Sequence, residues 1–294
     1  MSLEPIGDLM RHARRNDYAI GYFESWSIES LYGVIDAAEQ QRSPVIIGFN
    51  GEFLSHGDRV ETERLALYGA LGRAAAQSAK VPCGFIFNEC AQDAWTREAV
   101  TAGFNLVMPA DAEASPEDYA ARVTAITEYA HAHDVAVEAE LGELPFAAAG
   151  EGHRGSPTSP GEAARFVAET GIDLLAVSVG NVHVALNGSF GLDLDRLAAI
   201  HAATDVPLVL HGGSGIDGGD LRKTIALGVS KVNYGTYIKQ RYLAALRRAL
   251  ETDEPSPHAL LGMGGEGDLM VVGRRAVREA VLERMPLLNS AGKA

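Results

Sequence analysis

Eight short apolar runs of strand length, at residues 19–23, 45–49, 83–87, 106–109, 135–141, 174–179, 208–210 and 231–233, alternate with helix-forming segments along this 294-residue chain. Strands separated in this way by helices pair in parallel through right-handed crossovers. Eight of them predict an α/β fold closed into a (β/α)8 barrel. The segments 28–41, 61–79, 116–132, 161–170 and 192–203 are rich in alanine and other helix formers, and a last helix is expected over 269–288. With 47% hydrophobic residues and no low-complexity linker, one domain spanning residues 1–294 is expected.

Two of these units stand next to each other in residues 206–236, VPLVLHGGSGIDGGDLRKTIALGVSKVNYGT. One apolar run leads into His211-Gly212-Gly213-Ser214-Gly215, and the next into Asn233-Tyr234-Gly235-Thr236. Glycines let backbone N–H groups approach an oxyanion, and the helices that follow turn their positive ends to it. Two such loops after the seventh and eighth strands predict a phosphate site, with Ser214, Thr236 and the N–H groups of Gly213, Gly215 and Gly235 as donors. Asn233 is placed to hydrogen-bond a substrate hydroxyl, and the direction of Lys231 stays open.

The formal net charge is −14, without a run of Lys or Arg, which argues against nucleic-acid or anionic-membrane partners. Any bound anion must therefore be held by local geometry. Residues 1–16 are charged, with no apolar signal core, and no apolar stretch approaches the roughly 18 residues of a membrane span; a soluble, cytoplasmic protein is expected. Cys83 and Cys90 are too few for a zinc cluster and read as buried thiols, with Cys90 beside a candidate site.

In a barrel, polar groups at the carboxyl ends of strands carry function. His211 ends the seventh strand, His183 follows the sixth, and Asn88 and Glu89 follow the third. Glu89, His183 and His211 make a His2Glu set, one of the three-ligand arrangements that leaves an open position on zinc. Glu138 and Glu140 are two apart on the fifth strand and so share a face, opposite Val137, Ala139 and Leu141. The apolar side should meet the helices, turning both carboxylates inward, where they can ligate a cation, orient a ligating histidine or move protons. His12, His56, His131, His133, His153, His201 and His258 receive no site role. Residues 143–160, rich in Gly, Ala, Ser and Pro, read as a lid or as a plain surface loop. The glycine-rich 262–267 has no strand before it and reads as a connection.

At these residues the chain resembles the class II, metal-dependent ketose-bisphosphate aldolases, which include the fructose-bisphosphate and tagatose-bisphosphate enzymes. The carriers run nearly end to end: Tyr18-Ala19-Ile20-Gly21-Tyr22-Phe23, Ser43-Pro44-Val45-Ile46, Val81-Pro82, Ala102-Gly103-Phe104, Val137-Glu138-Ala139-Glu140-Leu141-Gly142, Gly180-Asn181-Val182-His183, His211-Gly212-Gly213-Ser214-Gly215, Lys231-Val232-Asn233 and the terminal Ser290-Ala291-Gly292-Lys293-Ala294. The resemblance implies a TIM barrel, a zinc ion held by three histidines that carries the substrate ketone, a phosphorylated or acidic sugar-like substrate, and a homodimer or homotetramer. His183 and His211 match two zinc ligands, Gly212 to Gly215 and Asn233 to Thr236 match the phosphate and substrate loops, and Glu138 matches an inward acidic position.

The chain also departs from that family. The usual Asp-His-Gly after the third strand, general acid/base and first zinc ligand, is Asn88-Glu89-Cys90. Asn88 has no proton to exchange near neutral pH, and Glu89 binds metal through oxygen while lowering its Lewis acidity. Val184 replaces a glycine, and Leu144-Pro145-Phe146-Ala147 replaces the lid pattern Gly-Gly-x-Glu-Asp, leaving Glu143 and Glu151 as candidates for the lid glutamate. The leading expectation is a divergent metal-dependent lyase in which Glu138, Glu140 or Glu89 takes over proton transfer, with ordinary fructose-bisphosphate cleavage impaired. The alternatives are a metal-dependent isomerase or enolising enzyme and a non-catalytic barrel that binds a phosphorylated metabolite.

Overall fold

The computed structural model describes residues 2–111, 113–142, 156–182 and 191–294. Eight parallel strands, β1 (Ile20–Glu24), β2 (Val45–Asn50), β3 (Cys83–Cys90), β4 (Leu106–Pro109), β5 (Ala136–Leu141), β6 (Leu174–Val177), β7 (Leu208–Leu210) and β8 (Val229–Tyr234), close into a barrel in chain order, β1 pairing with both β2 and β8. The helices are α1 (Ile6–Arg15), α2 (Ile28–Gln41), α3 (Gly51–Ser55), α4 (Leu65–Ser78), α5 (Asp93–Ala102), α6 (Pro116–His131), α7 (Pro160–Thr170), α8 (Leu194–Ala203), α9 (Gly218–Ile225), α10 (Thr236–Ala249), α11 (Pro257–Leu260) and α12 (Leu269–Arg284). None of the described helices is long and apolar enough to cross a membrane.

Strand alternation sorts the side chains into two cores. Phe23, Val45, Ile47, Phe85, Phe87, Val137, Ala139, Leu175, Val177 and Val232 face outward and pack under the helices. Ile20, Tyr22, Ile46, Ile86, Leu106, Leu174, Ala176 and Val209 face inward and pack on Ile6, Leu9, Met10 and Ala13 of α1. Those four α1 residues are spaced i, i+3, i+4, i+7, a single apolar face. That helix caps the amino-terminal end of the barrel: at Gly84, near the start of β3, a β-carbon would run into Ile6 and crowd Leu9. The polar chemistry is therefore confined to the opposite, carboxyl end.

Several boundaries differ from the sequence expectation. The helix expected over 61–79 begins only at Leu65, and Val60 is 97% exposed, so the preceding segment has no buried face to hold it. Instead Asn50 accepts a hydrogen bond from the Phe53 N–H and starts the short α3 directly after β2. The helix expected from residue 192 starts at Leu194, capped by Asp193. The last helix ends at Arg284 and continues as a 3-10 turn over Met285–Leu288, because Pro286 has no N–H to extend the ladder.

Candidate active site

β3 runs past its expected end and carries an irregularity there. The register with β4 shifts between Phe87 and Cys90, and Glu89 has φ +54°, a left-handed conformation unusual for a side chain of its size. In a regular strand residues 88 and 89 would face opposite sides. The bulge brings Glu89 to the interior: Oε1 lies 3.0 Å from His211 Nδ1, and Oε2 accepts from Asn50 Nδ2 at 2.9 Å. Such a backbone costs about 1–3 kcal/mol and persists where the surroundings over-determine it, typically at functional sites. Asn88 is 3% exposed, and its Oδ1 has no hydrogen-bond partner among the described residues. Cys90 turns outward into the core beneath the helices, with Sγ 3.9 Å from Ser55 Oγ, and burial pushes its thiol up. The buried-thiol reading holds, and the side chain faces away from the site.

His211 follows β7 and is 1% exposed. Its Nε2 lies 3.1 Å from Glu138 Oε1, and its Nδ1 lies 3.0 Å from Glu89 and 3.1 Å from Glu140. Glu138 and Glu140 thus share the inward face of β5. Burial opposes charge on this imidazole, but the hydrogen bonds to Glu138 and Glu89, with the Glu140 charge, push it up to about 10. Lys231 also points inward: Nζ is 2.8 Å from Glu138 Oε2, donates to Asn233 Oδ1 at 2.6 Å, and lies 5.1 Å from the centre of the Tyr22 ring. Burial would raise the Glu138 carboxyl, yet Lys231 and His211 hold it below its ordinary value. Three carboxylates therefore meet two cations, and these five groups carry one excess negative charge.

No three His, Cys, Asp or Glu side chains among the described residues stand ready to enclose a metal. Glu89, Glu140 and His211 are instead closed on one another by ion pairs. His183 and Val184 lie outside the described residues, as do Glu143, Leu144-Pro145-Phe146-Ala147 and Glu151. The sixth-strand loop is tied to the site by Asn181, which accepts from the Val179 N–H and donates to the His211 carbonyl at 3.2 Å.

Gly212 adopts φ +69° and turns the chain into a 3-10 turn, Gly213–Gly215, that carries Ser214 at its centre. Gly213 packs so tightly on Val232 and Tyr234 that a β-carbon would overlap both. Asn233 is held by Lys231 and keeps its Nδ2 without a partner among the described residues. Gly235 caps α10, and Thr236 is its first residue. Tyr234 departs from the expected binding set. Its ring faces the outer core, stacked on Phe23 at 5.2 Å, so only its backbone belongs to the loop.

Three participants received no site role in the sequence reading, Tyr22, Glu24 and Asn50, and Lys231, whose direction it left open, turns inward. The signal was present in β1, where Ile20, Tyr22 and Glu24 alternate with Gly21 and Phe23, as Glu138 and Glu140 do in β5. Tyr22 is buried, its hydroxyl has no partner among the described residues, and burial followed by Glu24, Glu89 and Glu138 raises it well above the ordinary phenol range. It stays a neutral hydroxyl.

The family model for class II fructose-bisphosphate aldolase matches residues 4–293. The chain is 32% identical over 303 residues to a fructose-bisphosphate aldolase of Geobacillus stearothermophilus, covering 100% of this chain and 99% of that one. It is 32% identical over 298 residues to a 6-phospho-5-dehydro-2-deoxy-D-gluconate aldolase of Bacillus subtilis, covering 100% of this chain and 98% of the relative. The crystal structure of the YdjI aldolase from Escherichia coli K12 superposes with a TM-score of 0.83 at 32% identity, over 99% of each chain. Barrel and sequence agree: the chain belongs to the class II fructose-bisphosphate aldolase family.

Proposed function

We propose that this protein is a metal-dependent lyase that performs aldol or retro-aldol carbon–carbon chemistry on a phosphorylated sugar-like substrate. The observation that carries this reading is the convergence of two carboxylates, Glu89 and Glu140, on His211 Nδ1 at the carboxyl end of the barrel. A divalent ion, zinc foremost, fits the chemistry of this donor set. A dication held there would leave His211 neutral and offset the nearby carboxylates, with Glu138 on the imidazole Nε2 as the carboxylate that orients a ligating histidine. Glu89 and His211 would hold the ion with His183, and Glu140 stands beside them. Bound there, the metal supplies a Lewis acid that polarises a carbonyl.

The remaining work falls to side chains. Asn88 accepts a hydrogen bond from a substrate hydroxyl through its Oδ1, which has no partner among the described residues. Glu138 has no exposed side-chain surface and is locked by Lys231 and His211, so it orients rather than exchanges protons. Glu140 retains 22% side-chain exposure and takes over proton transfer at its Oε2. The loops at Gly212, Gly213, Ser214 and Gly215 and at Asn233, Gly235 and Thr236 seat the substrate. The names of the two relatives, an aldolase for a sugar bisphosphate and one for a phospho-gluconate derivative, support a phosphorylated substrate of this class. We expect the protein to act in the cytoplasm as a homodimer or homotetramer.

The test is a panel of ketose phosphates with a coupled assay for triose-phosphate release, with and without chelator. Metal-dependent release supports the reading. Isomerised product without cleavage would move it to an enolising enzyme, and tight binding without turnover to a binding barrel.

A further inference from the structure

We propose that Glu24 determines substrate specificity: it fills the anion cradle at the start of α10, so the substrate end entering there carries a free hydroxyl rather than a phosphate. The register Phe23↔Tyr234 sets Glu24, the last residue of β1, beside Gly235, the residue after β8. Glu24 is 9% exposed, and its Oε2 lies so close to Gly235 that a β-carbon there would overlap it. Lys239, in the first turns of α10, forms an ion pair with Glu24 and sits 4.3 Å from the Phe53 ring centre and 5.9 Å from that of Trp26. The positive end of the helix thus faces an anion of the chain itself, and the nearby ammonium is already neutralised. An incoming phosphate would meet a buried carboxylate at close range.

A second observation points to the same class of ligand. Asn233, 8% exposed, keeps Nδ2 without a partner, and Asn88, 3% exposed, keeps Oδ1 without one, among the described residues. One buried amide donor and one buried amide acceptor suit hydroxyl groups, which both give and accept hydrogen bonds. Glu24 adds a carboxylate acceptor. The inference rests on the reading of this mouth as a substrate site. It goes further by assigning the substrate to ketoses unphosphorylated at the end held by β8 and α10, with any phosphate elsewhere.

Calorimetric titration with inorganic phosphate tests this on the full chain, comparing wild type, Glu24→Gln and Glu24→Ala. Both variants should bind phosphate at least about tenfold more tightly, since even a water-like dielectric lets a carboxylate repel a dianion measurably at a few ångströms. Equal affinity in all three overturns the proposal. So does tight wild-type binding that Lys239→Met abolishes, because the ion pair would then open to admit the anion. In parallel, the kcat/KM ratio of fructose 6-phosphate to fructose 1,6-bisphosphate should fall in Glu24→Gln. Phosphate binding gained by the variants without cleavage of either sugar refutes the aldolase reading and keeps this one. Cleavage of both sugars by the wild type with equal efficiency refutes this one and keeps the aldolase.

Discussion

Lys231 and Glu138 meet inside the barrel with Nζ 2.8 Å from Oε2, neither side chain having any exposed surface. The pair connects β8 to β5 across the interior, and through Glu138 it reaches His211 Nε2. Removing one partner leaves an uncompensated buried charge, so Lys231→Met should destabilise the fold by about 3–5 kcal/mol. The double variant Lys231→Met, Glu138→Leu should recover most of that loss. Urea denaturation of the single and double variants measures the coupling, and no recovery would mean that the charges themselves hold the barrel together.

Metal content should follow the carboxylates gathered around His211. The purified protein is expected to bind roughly one divalent ion per chain and to lose thermal stability on chelation, because metal affinity adds to folding free energy. Glu89→Ala and His211→Ala should each abolish the tight site. Elemental analysis and thermal melts with and without zinc check this; a protein whose melting ignores zinc and chelator alike would sink the metal assignment.

Asn88→Asp should place a titratable group at the end of β3. Its Oδ1 position is buried and has no partner among the described residues, so a carboxylate there faces the site without breaking an existing bond. Cleavage of a ketose phosphate is expected to rise, up to the roughly 10²–10⁴-fold that a positioned acid/base contributes. Steady-state kinetics decides it. No gain would mean that Glu140 already carries the proton in a pocket rebuilt around it.

Cys83 gives a pH dependence remote from the site. Burial pushes its thiol up from 9.0 to about 12. Between those values the unfolded chain releases a proton that the folded chain keeps, so stability falls as pH rises. The contribution is complete below about pH 9 and lost towards pH 12, at no more than about 1.4 kcal/mol per unit. Tyr18, raised from 10.0 to about 12 by burial, steepens the slope in the upper part of the range. Urea midpoints measured between about pH 8 and 11 should decline, and Cys83→Ala should flatten the first part of that decline.

The order of elements was legible because periodicity is local. Runs such as 45–49 and 208–210 are too short and apolar to be anything but buried strands between helical patterns, and their number implies a closed barrel. The inward face of β5 was legible for the same reason, since Glu138 and Glu140 differ by one strand period. Less legible was the third strand, where alternation alone would have separated Asn88 from Glu89. Only the bulge at Glu89, with its left-handed φ of +54°, explains how the carboxylate reaches His211. Tyr234 misled in the opposite sense: it stands in a binding loop by sequence, but strand phase turns its ring outward onto Phe23.

The sequence by itself determined the βα alternation, the glycine loops after β7 and β8, and the place of Asn88 and Glu89 at the carboxyl end of the third strand. Those properties depend on neighbours within a few positions. Tertiary structure alone decided that Lys231 lies inside the barrel rather than in solvent, that Glu138 shares its proton-holding environment with His211, and that Glu24 occupies the mouth of α10. Each of those depends on which strand ends closure brings together: β1 against β8 for Glu24 and Gly235, β5 across from β8 for Glu138 and Lys231. A buried charge takes its meaning from the partner facing it, and residues 138 and 231 become partners only when the barrel closes.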